Sequence, residues 1–249
     1  MKAMEKRPGV FGAPFMRDWT VHPPAVTPDY KTSVARGPHR AKIAFDASLT
    51  EATGPVFGQD LIGPGDDDML TNYAASGQTA IGERIVVMGR VLDEAGRPVP
   101  NALLEVWQAN ASGRYRHVRE GYVAALDPNF GGCGRCMTDA EGRYAFRTVK
   151  PGPYPWPNRA NDWRPAHIHF SVFGQAFAQR LVTQMYFEGD PHIPLCPIVQ
   201  GIEDAAAIER LTARLDMRAT IPMDARAWRF DIVLRGLRQT PFENRMEGA

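Results

Sequence analysis

The sequence predicts a mainly β protein: a β-sandwich of mixed and antiparallel strands, with few helices and a long irregular N-terminal arm. Three observations carry this expectation. Short runs rich in β-branched and aromatic residues recur from Arg84 onward, separated by Gly/Pro turns. Only one stretch follows a helical period. Pro8, Pro14, Pro23, Pro24, Pro28, Pro38, Pro55 and Pro64 break the segment before residue 81 at intervals too short for a long regular element.

Residues 1–80 are therefore expected to form the arm, lying across the main domain or a partner because so long an irregular segment does not bury itself. Within it Asp66-Asp67-Asp68 is expected to be a solvated loop, since no calcium-loop spacing follows. Residues 81–249 are expected to form the sandwich. Ile85–Leu92 reads as a strand, Asp93–Pro98 as a turn and Ala102–Gln108 as the returning strand. Asp139–Gly142 turns into Arg143–Arg147, where Tyr144 and Phe146 share a face. His167–Phe173, Arg180–Phe187 and Ala227–Arg235 supply three more strands. The helix is expected after Asp204, a good N-cap, with Ile208, Leu211 and Leu215 along one face.

Composition excludes several classes. With 29 basic against 28 acidic residues in 249, the charge balance offers no footprint for nucleic acid. No stretch approaches the roughly 18 apolar residues of a membrane span. The N-terminal Lys2, Glu5, Lys6, Arg7 and Pro8 lack an apolar signal core, so a cytoplasmic protein is expected. Three cysteines cannot all pair and are expected to be reduced. Cys133-Gly134-Arg135-Cys136 has the spacing of half a zinc site. Only Cys196 and, near it, His192 remain as further ligands, so a structural role in a loop entering a strand is expected.

The chemistry concentrates in four residues. His167-Ile168-His169 lies in an alternating segment, and residues two apart on a strand point to one face, so both imidazoles can reach one metal. Zn, Cu, Ni and Fe all accept such a pair, and a hydrogen-bonded core histidine is the commoner fate of either residue alone. Phenols narrow the choice. A phenol binds metal well only as phenolate, and a strongly acidic trivalent ion stabilises that anion. Two neutral imidazoles, two phenolates and one hydroxide balance Fe(III) to zero net charge, which suits a low-dielectric pocket. Charge balance does not say which of the seven tyrosines would serve.

Neighbourhoods do. Tyr115 follows Leu104-Glu105-Val106-Trp107-Gln108-Ala109-Asn110-Ala111-Ser112-Gly113-Arg114, and Tyr154 stands in Pro151-Gly152-Pro153-Tyr154-Pro155-Trp156-Pro157. With Leu126–Gly132, Asn161–His169, Tyr186–Pro191 and Phe230–Gly236, these strings resemble the intradiol ring-cleaving dioxygenases. Within that family they are most similar to the iron-bearing subunits of the heteromeric members that open protocatechuate. The resemblance runs from Thr27-Pro28-Asp29-Tyr30 almost to the C-terminus.

The resemblance implies one non-haem Fe(III) per chain, with Tyr154 and His169 as axial ligands and Tyr115 and His167 as equatorial ones. It implies cleavage of 3,4-dihydroxybenzoate by O2 to 3-carboxy-cis,cis-muconate, with hydroxide leaving as water and Tyr154 as tyrosine when the catechol gives up its two protons. Arg164 matches an arginine that stabilises negative charge on the ring; from spacing alone it could equally pair with Asp162 on the surface. Gln184 matches a glutamine beside that arginine, Trp156 a pocket wall, and Tyr30 a tyrosine near the far end of the substrate. Pro157 departs from the family, whose members often carry a basic residue there. His117 and His192 are expected not to be ligands. A homologous alpha subunit is the implied partner, in αβ units of a larger oligomer.

Alternatives remain at this point: catechol or hydroxyquinol 1,2-cleavage, whose enzymes carry a helical dimerisation segment for which this arm has no counterpart; a non-catalytic sandwich subunit; or a transthyretin-like binding module.

Overall fold

Alternation sets the first layer. β1 (Arg84–Leu92) buries Ile85, Val87 and Val91 and turns most intervening side chains outward, as a strand with one wet face must. β4 (Arg143–Val149) pairs antiparallel with it, while β10 (Arg226–Arg229) and β11 (Ile232–Val233) run parallel along its other edge. The computed structural model describes residues 60, 62–156, 160–174, 180–234, 236 and 238–241.

The second layer is antiparallel throughout, in the order β3 (Cys133–Met137), β2 (Leu103–Gln108), β7 (His167–Phe173) and β8 (Arg180–Phe187). Short β9 (Thr212–Leu215) pairs parallel with β8 and antiparallel with β10, so the layers belong to one mixed sheet folded on itself. Between them Phe170 lies against Tyr144, Phe146 and Phe230, at ring separations of 6.2, 5.9 and 5.3 Å. Burying one such aromatic contributes about 1.5–3 kcal/mol. A two-strand ribbon, β5 (Tyr154–Pro155) with β6 (Trp163–Arg164), stands apart from this sheet.

Asp66-Asp67-Asp68 does more than a solvated loop would. Its backbone accepts from Arg135 of β3 (2.9 Å) and from Arg147 of β4 (2.8 Å), and Met69 N–H donates to the Arg147 carbonyl (2.9 Å). The run thus bridges the two outer edges and nearly closes the sheet, which protects edges that would otherwise be open. Met69 and Leu70 enter the main core. Gly134 permits the approach, since a Cβ there would lie 2.7 Å from Met69 Cγ and 2.9 Å from the Asp66 carbonyl oxygen.

Two expected elements are shorter than their patterns suggest. The helix spans only Ala205–Arg210, capped by the Asp204 carboxylate on Ala206 N–H. Leu211 closes it, and Leu215 lies on β9, because Thr212 is already paired with Tyr186 of β8. The expected strand Ala227–Arg235 breaks at Phe230-Asp231. There the Phe230 carbonyl presses on Gly89, where a Cβ would come within 1.8 Å of it, and the Asp231 carboxylate takes the Arg90 N–H at 2.9 Å. β3 begins at Cys133 itself, so the two cysteines point to opposite faces, Cys133 exposed and Cys136 buried. Burial pushes the Cys136 thiol up to about 12, which leaves it protonated and inert. Among the described residues no helix is long and apolar enough to cross a membrane. Most of the arm, including Tyr30, lies outside the described residues, as does Pro157.

Candidate metal centre

β7 carries His167 and His169 at the end where β2 and β8 flank it. Register places Tyr186 opposite His167, and Trp107 and Gln184 on either side of His169. The His167 ring is fixed by a 2.7 Å contact from Nδ1 to the Pro165 carbonyl oxygen. A carbonyl can only accept, so Nδ1 bears the proton and Nε2 keeps its lone pair. Burial, then the charges of Arg164 and His169, holds this imidazole well below its usual range and hence neutral. A neutral ring with a free Nε2 is the form a metal requires.

Tyr115 comes from the loop after β2. The Asn110 side chain shapes that loop by accepting from Ser112 N–H (3.0 Å), Ser112 Oγ (2.9 Å) and Arg114 N–H (2.9 Å), an Asx-type turn. Gly113 has φ +81°, and a Cβ there would sit 2.3 Å from the Pro153 carbonyl oxygen. From the other side, a Cβ on Gly152 would lie 2.5 Å from the Ala111 carbonyl oxygen. Two glycines let the loops bearing Tyr115 and Tyr154 interlock.

The result is convergence. Tyr115 Oη lies 3.1 Å from His169 Nε2 and 3.4 Å from His167 Nε2. The Tyr154 ring sits 5.6 Å from that of Tyr115, edge to face, and 5.5 Å from that of His167. Donors bound to one metal at about 2.1 Å with right-angle spacing are about 3 Å apart, so the separations of Tyr115 Oη from the two Nε2 atoms fit one ion. Among the described residues no group of three His, Cys, Asp or Glu side chains gathers to hold a metal. A centre at His167 and His169 would therefore depend on phenols, and such donors would suit a hard, trivalent ion.

Arg164 is only 3% exposed, so it is no surface partner of Asp162. Its Nη2 donates to Gln184 Oε1, and its guanidinium lies 5.2 Å from the Trp156 ring centre. Burial opposes its charge, but Cys196, Tyr154, Tyr186 and Tyr115 outweigh burial and keep it firmly protonated. The buried Nε–H has no hydrogen-bond partner, which leaves a donor available to an anionic ligand. Gln184 also accepts from Tyr186 Oη at 3.3 Å. The structure thus brings Tyr115, Tyr154, Trp156, Arg164, His167, His169 and Gln184 into one neighbourhood. His117 stands exposed, accepting from Arg119 N–H at 3.1 Å, and His192 pairs with Asp190 at 2.8 Å.

Sequence reasoning missed three contributors. Trp107 stacks on His169, Tyr186 supports Gln184, and the Asp190 carboxylate accepts Ala166 N–H at 2.8 Å just ahead of the histidines. The parity of Trp107 on β2 is visible in the sequence, but its partner depends on register.

Comparison with known proteins shows the family. A family model described as "Dioxygenase" matches residues 52–236, and one described as "Protocatechuate 3,4-dioxygenase beta subunit N terminal" matches residues 15–48. The chain is 55% identical to the protocatechuate 3,4-dioxygenase beta chain of Burkholderia cepacia over 227 residues, covering 91% of this chain and 96% of that one. Catechol 1,2-dioxygenase 2 of Acinetobacter lwoffii is 39% identical over 123 residues, covering 45% of this chain and 42% of that one. The crystal structure of catechol 1,2-dioxygenase from Pseudomonas arvilla C-1 superposes with a TM-score of 0.50 at 26% identity, over 68% of this chain and 56% of that one. The chain belongs to the intradiol dioxygenases, a family of non-haem iron enzymes.

Proposed function

We propose that this chain is the iron-bearing beta subunit of a protocatechuate 3,4-dioxygenase. It would open 3,4-dihydroxybenzoate between its hydroxyl-bearing carbons with O2, giving 3-carboxy-cis,cis-muconate. The observation that carries the reading is the meeting of Tyr115 Oη with both histidine Nε2 atoms, at 3.1 and 3.4 Å.

Tyr115, Tyr154, His167 and His169 would hold one Fe(III). When bound, the ion supplies Lewis acidity that favours the doubly deprotonated catechol and makes its ring reactive toward O2. The chain's own groups then divide the work. The two imidazoles would hold position without competing for substrate protons. Tyr154, half-buried on the ribbon, would take one of the two catechol protons on its Oη and become a neutral phenol. The second proton would go to the hydroxide that balances the site, so a catecholate dianion would replace two monoanions and the pocket's charge would stay at zero. Arg164 carries a fixed positive charge and an unspent N–H, both suited to negative charge developing on the ring. Gln184 holds the guanidinium in place, and Trp156, whose ring lies against the guanidinium, would wall the pocket.

Tyr30 falls within the matched N-terminal segment and is proposed to approach the substrate's distal end from the arm, residues 1–80. A homologous alpha subunit is proposed as partner in αβ units of a larger cytoplasmic oligomer, with the pocket near the α–β boundary. Pro157 stands in the sequence where family members often carry a basic residue, so the alpha subunit is the proposed source of the contact to the substrate carboxylate.

The test is product analysis with 3,4-dihydroxybenzoate and O2, using the chain expressed with and without its alpha subunit. The reading expects 3-carboxy-cis,cis-muconate from the pair, and poor solubility or little activity from the chain alone. An extradiol semialdehyde would overturn the chemistry. A fully active homo-oligomer would overturn the partner and favour catechol-type cleavage.

A further inference from the structure

The two histidines on β7 are restrained differently. His167 is pinned by its Nδ1 contact with the Pro165 carbonyl, at 2.7 Å. Against His169 lies an aromatic neighbour. The indole of Trp107 lies against it with ring centres 4.8 Å apart and planes within 2° of parallel. This is not an accident of rotamers. Trp107 and His169 are directly opposed in the β2–β7 pairing, and Gln184 stands opposite His169 on its other side. The imidazole sits in a row whose members share one face of the sheet.

We infer that Trp107 is a positioning residue for the metal centre, fixing the plane of the His169 imidazole and stabilising the positive charge that ring acquires on metal binding. Two physical effects support this. The terminal torsion of histidine is broad and roughly two-fold, so a backbone position alone does not aim Nε2. A parallel indole face closes off rotation toward one side, leaving Nε2 directed at Tyr115 Oη, 3.1 Å away. A metal-bound imidazole is also electron-poor, and indole has the most electron-rich face among the side chains. Face-on contact therefore favours the ligated ring over the free one. An aliphatic residue of comparable bulk would supply packing without the second effect.

The proposal rests on the reading that His169 is an iron ligand, and its test separates the two. Trp107→Phe keeps an aromatic face, Trp107→Leu removes it, and Trp107→Met gives an unbranched apolar side chain should the leucine variant fold poorly. Each is made in the full chain assembled with its alpha subunit and loaded with iron. The readout is the rate at which a chelator bleaches the visible phenolate band, compared with each variant's thermal midpoint. Groups that orient metal ligands typically contribute 10–100-fold in affinity. Trp107→Leu and Trp107→Met are expected to lose iron at least about 10-fold faster than the parent, and Trp107→Phe within about 3-fold. The order should hold whatever the ranking of thermal midpoints.

Equal bleaching rates in parent and aliphatic variants would overturn the role of Trp107 and leave the iron site standing. So would rates for all three variants that track thermal midpoint alone. A parent protein that binds no iron would overturn both readings.

Discussion

Tyr154 and Arg164 stand opposite each other across the ribbon β5–β6. The proposed proton acceptor and the proposed anion-stabilising cation thus ride on one small unit, and Tyr154 is among the groups that hold the guanidinium charged. Substrate would exchange with the first and be stabilised by the second, so two substitutions separate their contributions.

Tyr154→Phe should retain iron, because Tyr115, His167 and His169 still converge. It should lose about 100-fold or more in the rate of catechol binding, the usual scale for removing a positioned proton acceptor. Iron analysis with stopped-flow absorbance on mixing with substrate checks this; unchanged binding kinetics would contradict it.

Arg164→Ala should lower kcat by about 100- to 1000-fold while KM moves much less, since developing charge is what the guanidinium meets. Gln184→Ala should move kcat in the same direction by a smaller factor, because it releases the guanidinium without removing its charge. A raised KM at full kcat would instead assign Arg164 to ground-state binding.

Gly113→Ala tests the interlocking of the tyrosine loops. The new Cβ would meet the Pro153 carbonyl oxygen at 2.3 Å while also adopting φ +81°. Gly65 shares the positive φ, +83°, but has open space around its Cβ position. Backbone strain alone costs about 1–3 kcal/mol. Gly65→Ala should therefore lower stability without loosening iron, whereas Gly113→Ala should do both, as denaturant midpoints and chelator stripping would read.

Asp216 offers a pH signature remote from the site. Its carboxylate accepts from Arg229 at 2.8 Å and from the N–H groups of Ala219 and Arg218 at 3.1 and 3.0 Å. These bonds, that of Arg229 first, hold it below the usual carboxylate range. A lowered folded-state value means the contribution is complete above the unfolded value of about 3.9 and is lost as pH falls through the folded one. Urea midpoints of the parent and Asp216→Asn should differ by a constant amount above about pH 5 and converge on acidification below about pH 4. A difference independent of pH would contradict this account.

Much of this architecture is legible in the sequence. His167–Phe173 and Arg180–Phe187 are strands with the bounds expected of them, because runs rich in β-branched and aromatic residues between turn residues are a local signal. The helix at Asp204 is legible at its cap and illegible at its end. Ile208, Leu211 and Leu215 fit a helical period, but pairing of Thr212 with Tyr186 overrides it. The break at Phe230-Asp231 depends on how closely that backbone passes Gly89, which no local pattern encodes. The same division runs through the site. Parity places His167 and His169 on one face, whereas the stack of Trp107 on His169 and the approach of the Tyr115 loop to the Tyr154 loop follow from register and long-range contacts.

The visible spectrum of the purified iron-loaded protein, read beside its metal content, tests the central claim most directly. Phenolate ligation by Tyr115 and Tyr154 to Fe(III) predicts a red-brown protein with about one iron per chain, whose charge-transfer band changes in both Tyr115→Phe and Tyr154→Phe. Colourless, zinc-loaded protein with full ring-cleaving activity would contradict it.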